Sequence, residues 1–172
     1  MNKKRVVVFS TRVIAVALVA LGVLQGNRVF AQAGQVVGGP MSGFQEVPAI
    51  STTGTGTFVG VIVTGDTAIN YQLSYSNLEG TASMAHIHLG QPGVNGGVVA
   101  FLCGGGGKPA CPASGTVTGT IMPADIQAVA SQGIAAGELA AVIAAIRAGG
   151  TYANVHTSMF GGGEIRDRIR VL

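Results

Sequence analysis

The sequence predicts a mainly β protein, an antiparallel β-sandwich or barrel of the Ig-like or superoxide-dismutase-like kind. One or two short helices are expected before the penultimate strand. Three observations lead there. Short runs rich in Val, Ile and Thr are separated at close intervals by Gly, Pro, Asn and Asp. The run Thr67 to Ser76 alternates cleanly, with Ile69, Tyr71, Leu73 and Tyr75 facing one way and Asn70, Gln72 and Ser74 the other. Helical spacing is confined to one region, between Pro123 and Gly149.

Taken in order, Gly34 to Ser42 reads as a flexible lead-in. Phe44-Gln-Glu-Val-Pro-Ala-Ile50 reads as an edge strand limited by Pro48, which lacks an amide hydrogen. Thr55 to Thr64 is a strand, Gly65-Asp66 a turn, and Thr67 to Ser76 its hairpin partner. Ser83 to Leu89 follows, with Met84, His86 and His88 on one face and Ala85, Ile87 and Leu89 on the other. Gly90 to Gly97 is dense in turn residues. Val98 to Leu102 and Ser114 to Ile121 are further short strands.

The period then changes. Pro123 suits a first helical turn, and Ile126 and Val129 are the expected inward positions of one short helix. Leu139, Val142, Ile143 and Ile146 define a second, stopped by Gly149-Gly150. The pair is expected to cover an open edge or end of the sheet. Tyr152 to Thr157 and Glu164 to Val171 are the last strands. In the latter, Arg166, Arg168 and Arg170 oppose Ile165, Asp167, Ile169 and Val171, which places a charge on the apolar face.

The first 33 residues read as a signal peptide: Lys3, Lys4 and Arg5, a mainly apolar run to Leu24, and a small-residue cleavage pattern at Ala31-Gln-Ala33. An uncleaved anchor is the alternative. The expected mature β domain is 34–172, without a transmembrane segment, and its location is secreted, periplasmic or in the cell envelope. The whole chain carries +3. Five of its ten basic residues precede Gly34 and all seven acidic residues follow it, so the domain itself carries −2. That balance gives no support to nucleic-acid binding. Cys103 and Cys111 bracket a glycine-rich loop and in an oxidising compartment form a disulfide, worth about 2.5 kcal/mol in the chain-entropy model. Two thiolate metal ligands are the alternative.

The three histidines lie in two strand-like segments. His86 and His88 share a face, and His156 shares one with Asn154. If the segments adjoin, three neutral nitrogen donors suit copper, or zinc with an open position. Met84 on the same face and Met159 nearby tilt the choice toward copper, because thioethers favour Cu(I). Glu46, Glu164 and Asn154 are candidate partners for the rings, and Arg166 could guide a small anion. The alternative is that the histidines serve the fold alone.

Phe44-Gln-Glu-Val-Pro48, Ala85-His-Ile-His-Leu-Gly90 with Pro92-Gly93 and Asn95-Gly96, Tyr152-Ala-Asn-Val-His-Thr157 and Gly163-Glu-Ile-Arg166 together resemble the successive motifs of the CHRD domain. That domain is named after the repeats of chordin, an extracellular antagonist of bone morphogenetic proteins, and occurs in exported bacterial proteins. The resemblance runs from about Val37 to Leu172. Ala49 stands where the family usually has a second proline, and Asp167 where it has glycine. The resemblance implies an extracellular β-rich domain but no settled activity. Chordin's partners are not transferred to this chain.

The expected function is therefore an exported CHRD domain holding one copper or zinc ion, for metal handling or superoxide-type redox chemistry. The His-x-His strand is similar to that of copper–zinc superoxide dismutase over only a few residues. The competing expectation is a non-enzymatic module for an extracellular protein or polysaccharide. A hydrolase using Glu46 or Glu164 as base is a third. No Gly-x-Ser-x-Gly elbow or phosphate loop is present.

Overall fold

The computed structural model describes residues 34–172, so the expected signal peptide lies outside the described residues. Eight strands form one antiparallel sheet: β1 (Gly34–Ser42), β2 (Thr55–Val63), β3 (Ile69–Ser76), β4 (Ala82–Leu89), β5 (Gly97–Cys103), β6 (Gly115–Ile121), β7 (Thr151–Thr157) and β8 (Ile165–Val171). Among the described residues a single α-helix, α1 (Leu139–Arg147), precedes β7. The strand order is β5-β4-β7-β8-β1-β2-β3-β6, rolled into a nearly closed barrel.

The alternating apolar residues fill that barrel. Ile69, Tyr71, Leu73 and Tyr75 of β3 are all buried, as are Ala85 and Ile87 of β4. Tyr71 takes its hydroxyl into the core, where it donates to the Leu102 carbonyl at 2.7 Å. This bond joins β3 to β5, which lie near opposite ends of the sheet order. A disulfide between Cys103 and Cys111 ties the segment connecting the two edge strands. Leu139, Val142, Ile143 and Ile146 of α1 are buried in the same core, and Arg147 forks onto Asp66 in the β2–β3 turn. The helix thus lies over the barrel end where that turn sits.

Three expectations change. Gly34–Ser42 is a central strand between β8 and β2, with Val37 and Met41 in the core. Its glycines and proline hid a period of two. Phe44–Ile50 is no strand: the amides of Glu46 and Ile50 both donate to the Gly43 carbonyl, at 3.0 and 2.8 Å, and curl the segment on itself. The expected first helix is reduced to 3-10 turns at Pro123–Asp125 and Ala130–Gln132. Val129 and Ile134 exchange backbone hydrogen bonds and so use the amides a helix would need. Ile126 is buried nonetheless.

Asp167 does occupy the inner face of β8, at 2% exposure, and accepts two hydrogen bonds at 2.9 Å from Arg170. Room for it comes from Gly39, whose missing side chain would strike the carboxylate.

Tyr71→Phe removes the β3–β5 bond and leaves the Leu102 carbonyl without that donor in the core. It should cost about 1–2 kcal/mol in chemical denaturation of the oxidised protein, with the far-UV spectrum unchanged.

Candidate metal centre

The pairing of β4 with β7 assembles the site. The two strands are antiparallel, with Met84 opposite His156, His86 opposite Asn154, and His88 opposite Tyr152. The next strands extend the row: Phe101 of β5 stands opposite His86, and Arg166 of β8 opposite Asn154. Residues about seventy positions apart therefore share one outer face. His86, His88 and His156 are only 4%, 7% and 8% exposed, because loops cover that face.

The rings converge. Ring centroids are 4.8 Å apart for His86 and His156, 5.4 Å for His86 and His88, and 5.9 Å for His88 and His156. One ligand nitrogen from each lies within 4.8 Å of the other two. In a tetrahedral zinc site with bonds of about 2.0–2.1 Å the nitrogens stand about 3.4 Å apart, so the three rings must draw together to share one ion.

Backbone carbonyls orient two of the rings. His88 Nδ1 lies 3.0 Å from the Gly96 carbonyl, and His156 Nδ1 lies 3.0 Å from the Gly161 carbonyl. A carbonyl only accepts, so each Nδ1 carries the hydrogen and each Nε2 keeps its lone pair. Those two Nε2 atoms are buried and have no hydrogen-bond partner. Neither nitrogen of His86 has one either; its ring meets Phe101 edge-on at 4.6 Å. The carbonyl bonds of His88 and His156 are ones a structural histidine also makes, but four ring nitrogens stay buried without partners, which is costly. The donor set fits a metal ion that accepts nitrogen lone pairs.

Each turn behind the carbonyls depends on a glycine. A side chain on Gly96 would strike the Leu89 carbonyl, and one on Gly163 the Asn154 amide. Asn95 completes the first turn by donating to the Val47 carbonyl and accepting from Arg166 Nη1, both at 3.0 Å. Asn95, Gly96, Gly161, Tyr152 and Phe101 are not among the site residues expected from sequence; the signals for three of them are the Asn95-Gly96 and Tyr152–Thr157 motifs.

The other candidates divide. Asn154 donates to Glu46 at 2.6 Å, and Glu46 lies 3.6 Å from Arg166 Nε. Burial pushes the Glu46 carboxyl up to about 7 against the opposing pull of Arg166 and Asn154. Glu46 is thus joined to the site's strand row through Asn154 and makes no hydrogen bond to an imidazole. Glu164 belongs to the loops: it accepts from Thr52, Thr157 and the amides of Glu79 and Gly80. Burial raises its carboxyl, but these donors outweigh that and hold it below the usual range. Its bonding leaves it a brace for those loops, which corrects its expected place as a histidine partner. Met84 is 36% exposed and Met159 60%, so neither is enclosed with the rings. The cysteines are bonded to each other and supply no thiolate.

Comparison with protein families matches residues 38–169 to the CHRD domain. The chain belongs to the CHRD domain family. No curated protein and no solved structure gave a match. In this CHRD domain the four motifs meet at one place. The curled Phe44–Pro48 segment supplies Glu46 and the Val47 carbonyl, β4 and β7 supply the rings, and β8 supplies Arg166.

Burial also keeps the rings neutral. It pulls His86 down to about 3, helped by the other two histidines, and His88 down to about 4 against its bond to Gly96. His156 is lowered by burial in the same way, against its bond to Gly161. In metal-free protein the unfolded chain therefore takes up protons first as pH falls. Stability from these rings is complete above about 6.5 and is lost as pH falls through the lowered values. Thermal midpoints of chelated protein should drop between about pH 6.5 and pH 4. A His86→Gln/His88→Gln/His156→Gln variant should show a flatter profile.

Proposed function

We propose that this CHRD protein is exported and holds one copper or zinc ion through His86, His88 and His156. The observation that carries this reading is the pair of buried Nε2 lone pairs, on His88 and His156, directed by backbone carbonyls and left without partners beside His86. Three neutral nitrogens suit either metal. The Cys103–Cys111 disulfide fits an oxidising compartment and so supports export.

Metal handling is favoured over turnover of a bulky substrate, because the unpartnered nitrogens lie out of solvent contact. A bound ion would supply Lewis acidity or, for copper, a redox couple. The chain's own part is to fix two tautomers, hold the rings neutral and exclude water. The competing reading, a binding module for an extracellular protein or polysaccharide, draws on one packing feature. His88 lies flat on Tyr152, with centroids 4.7 Å apart and planes 1° from parallel, so it also contributes to the fold.

Elemental analysis of protein purified without chelator or affinity histidines should find one copper or zinc ion per chain. His86→Ala, His88→Ala and His156→Ala should each weaken binding by more than about 100-fold, beyond the effect typical of outer partners. Their stability loss should appear chiefly in the metal-loaded protein. Absence of metal together with an equal stability loss with and without chelator would favour the structural role.

A further inference from the structure

His86 is the ring of the three that no hydrogen bond orients. Both of its nitrogens are buried without a partner, whereas His88 and His156 each reach a backbone carbonyl through Nδ1. A neutral imidazole carries one N–H, so a ring that gives its lone pair to a metal still has a hydrogen to place. Out of contact with water, that hydrogen needs an acceptor in the protein.

The neighbouring strands offer one. On the β5 side His86 faces Phe101, whose ring it meets edge-on and which has no side-chain acceptor. On the β7 side it stands directly opposite Asn154. Opposed residues of an antiparallel pair hold their Cβ atoms about 4.5–5.5 Å apart, within reach of longer side chains. Asn154 is 1% exposed, and its Oδ1 is buried and also without a partner. An unused donor and an unused acceptor therefore stand opposite each other across one strand pair.

The amide is oriented from behind. Asn154 Nδ2 donates to Glu46 Oε1 at 2.6 Å, and Arg166 Nε lies 3.6 Å from Glu46 Oε2. A carboxylate accepts, so the amide nitrogen faces Glu46 and the amide oxygen is left for another donor. Arg166 stands opposite Asn154 on β8, and its Nη2 is likewise buried and unpartnered. An amide oxygen has two lone pairs, so it can serve Arg166 on one side and His86 on the other. Gly163 leaves room for this pair, since a side chain there would strike both Asn154 and Glu46.

We propose that Asn154 is the positioning residue of His86, an inference that rests on the three-histidine metal reading. As the three rings draw together, His86 turns one nitrogen toward the shared centre and donates the hydrogen of the other to Asn154 Oδ1. All three tautomers are then fixed, two by backbone carbonyls and the third by a side chain. The run His86–Asn154–Glu46–Arg166 ties the centre to the curled segment after β1. Asn154 acts through His86 and is not itself a ligand.

Zinc competition against a chromophoric chelator, on the whole exported chain, tests this. Asn154→Leu should weaken zinc binding by about 10–100-fold, the range for outer partners of ligating histidines. Glu46→Gln/Asn154→Asp should recover most of the loss. The glutamine amide donates to the new carboxylate, whose second oxygen accepts from His86, and the pair keeps its single negative charge. A residue that only braced the fold would change the thermal midpoint of metal-free protein without moving zinc affinity. A second measurement needs no variant. In the zinc-loaded wild type, nuclear magnetic resonance should place the His86 ring hydrogen beside the Asn154 side-chain amide, slow to exchange with water. Unchanged zinc affinity in Asn154→Leu, or a His86 ring hydrogen without contact to Asn154, would overturn the assignment and leave the metal reading standing. No zinc uptake by the wild type would overturn both.

Discussion

The antiparallel register of β4 against β7 is the constraint from which the site follows. It sets His86 opposite Asn154 and places His156 one diagonal step away, opposite Met84. Side chains alternate across a sheet with a period of two, so a slip of one residue would turn one partner's ring to the opposite face. The core enforces the register. Ala85 and Ile87 are buried on the inner face of β4, and Ala153 and Val155 on that of β7. The imidazoles face outward because their apolar neighbours must face in.

An outward face would ordinarily be wet, and here the covering loops exclude water. The Gly90–Gly97 turn and the Ser158–Gly163 loop each fold back and bring a carbonyl to a ring nitrogen. The curled segment after β1 closes the third side, with Glu46 on Asn154 and the Val47 carbonyl on Asn95. The result is a buried polar group with several unpartnered atoms, which opposes stability unless something fills it. The barrel, the disulfide and the helical cap supply the background that tolerates it.

Much was legible from the residues. The face assignments of Ile69–Tyr75 and Ala85–Ile87 and the helix positions Leu139, Val142, Ile143 and Ile146 follow from periodicity, and each is buried or oriented as expected. What periodicity missed has two causes. β1 holds glycines and a proline that blur alternation, and the backbone of Phe44–Ile50 bonds locally to Gly43 instead of to a neighbouring strand. The role of Glu164 was equally hidden, because its four donors come from three separate parts of the chain.

The sequence by itself determined the fold class, the two histidine strands, the faces those rings occupy and the family they belong to, because local alternation and short motifs are properties of contiguous residues. Tertiary structure alone decided that the two strands are neighbours, that carbonyls of Gly96 and Gly161 choose the tautomers, and that Glu46 reaches Asn154. Those relations join residues far apart in the chain. They depend on strand order and loop closure, which the packing of the whole barrel sets.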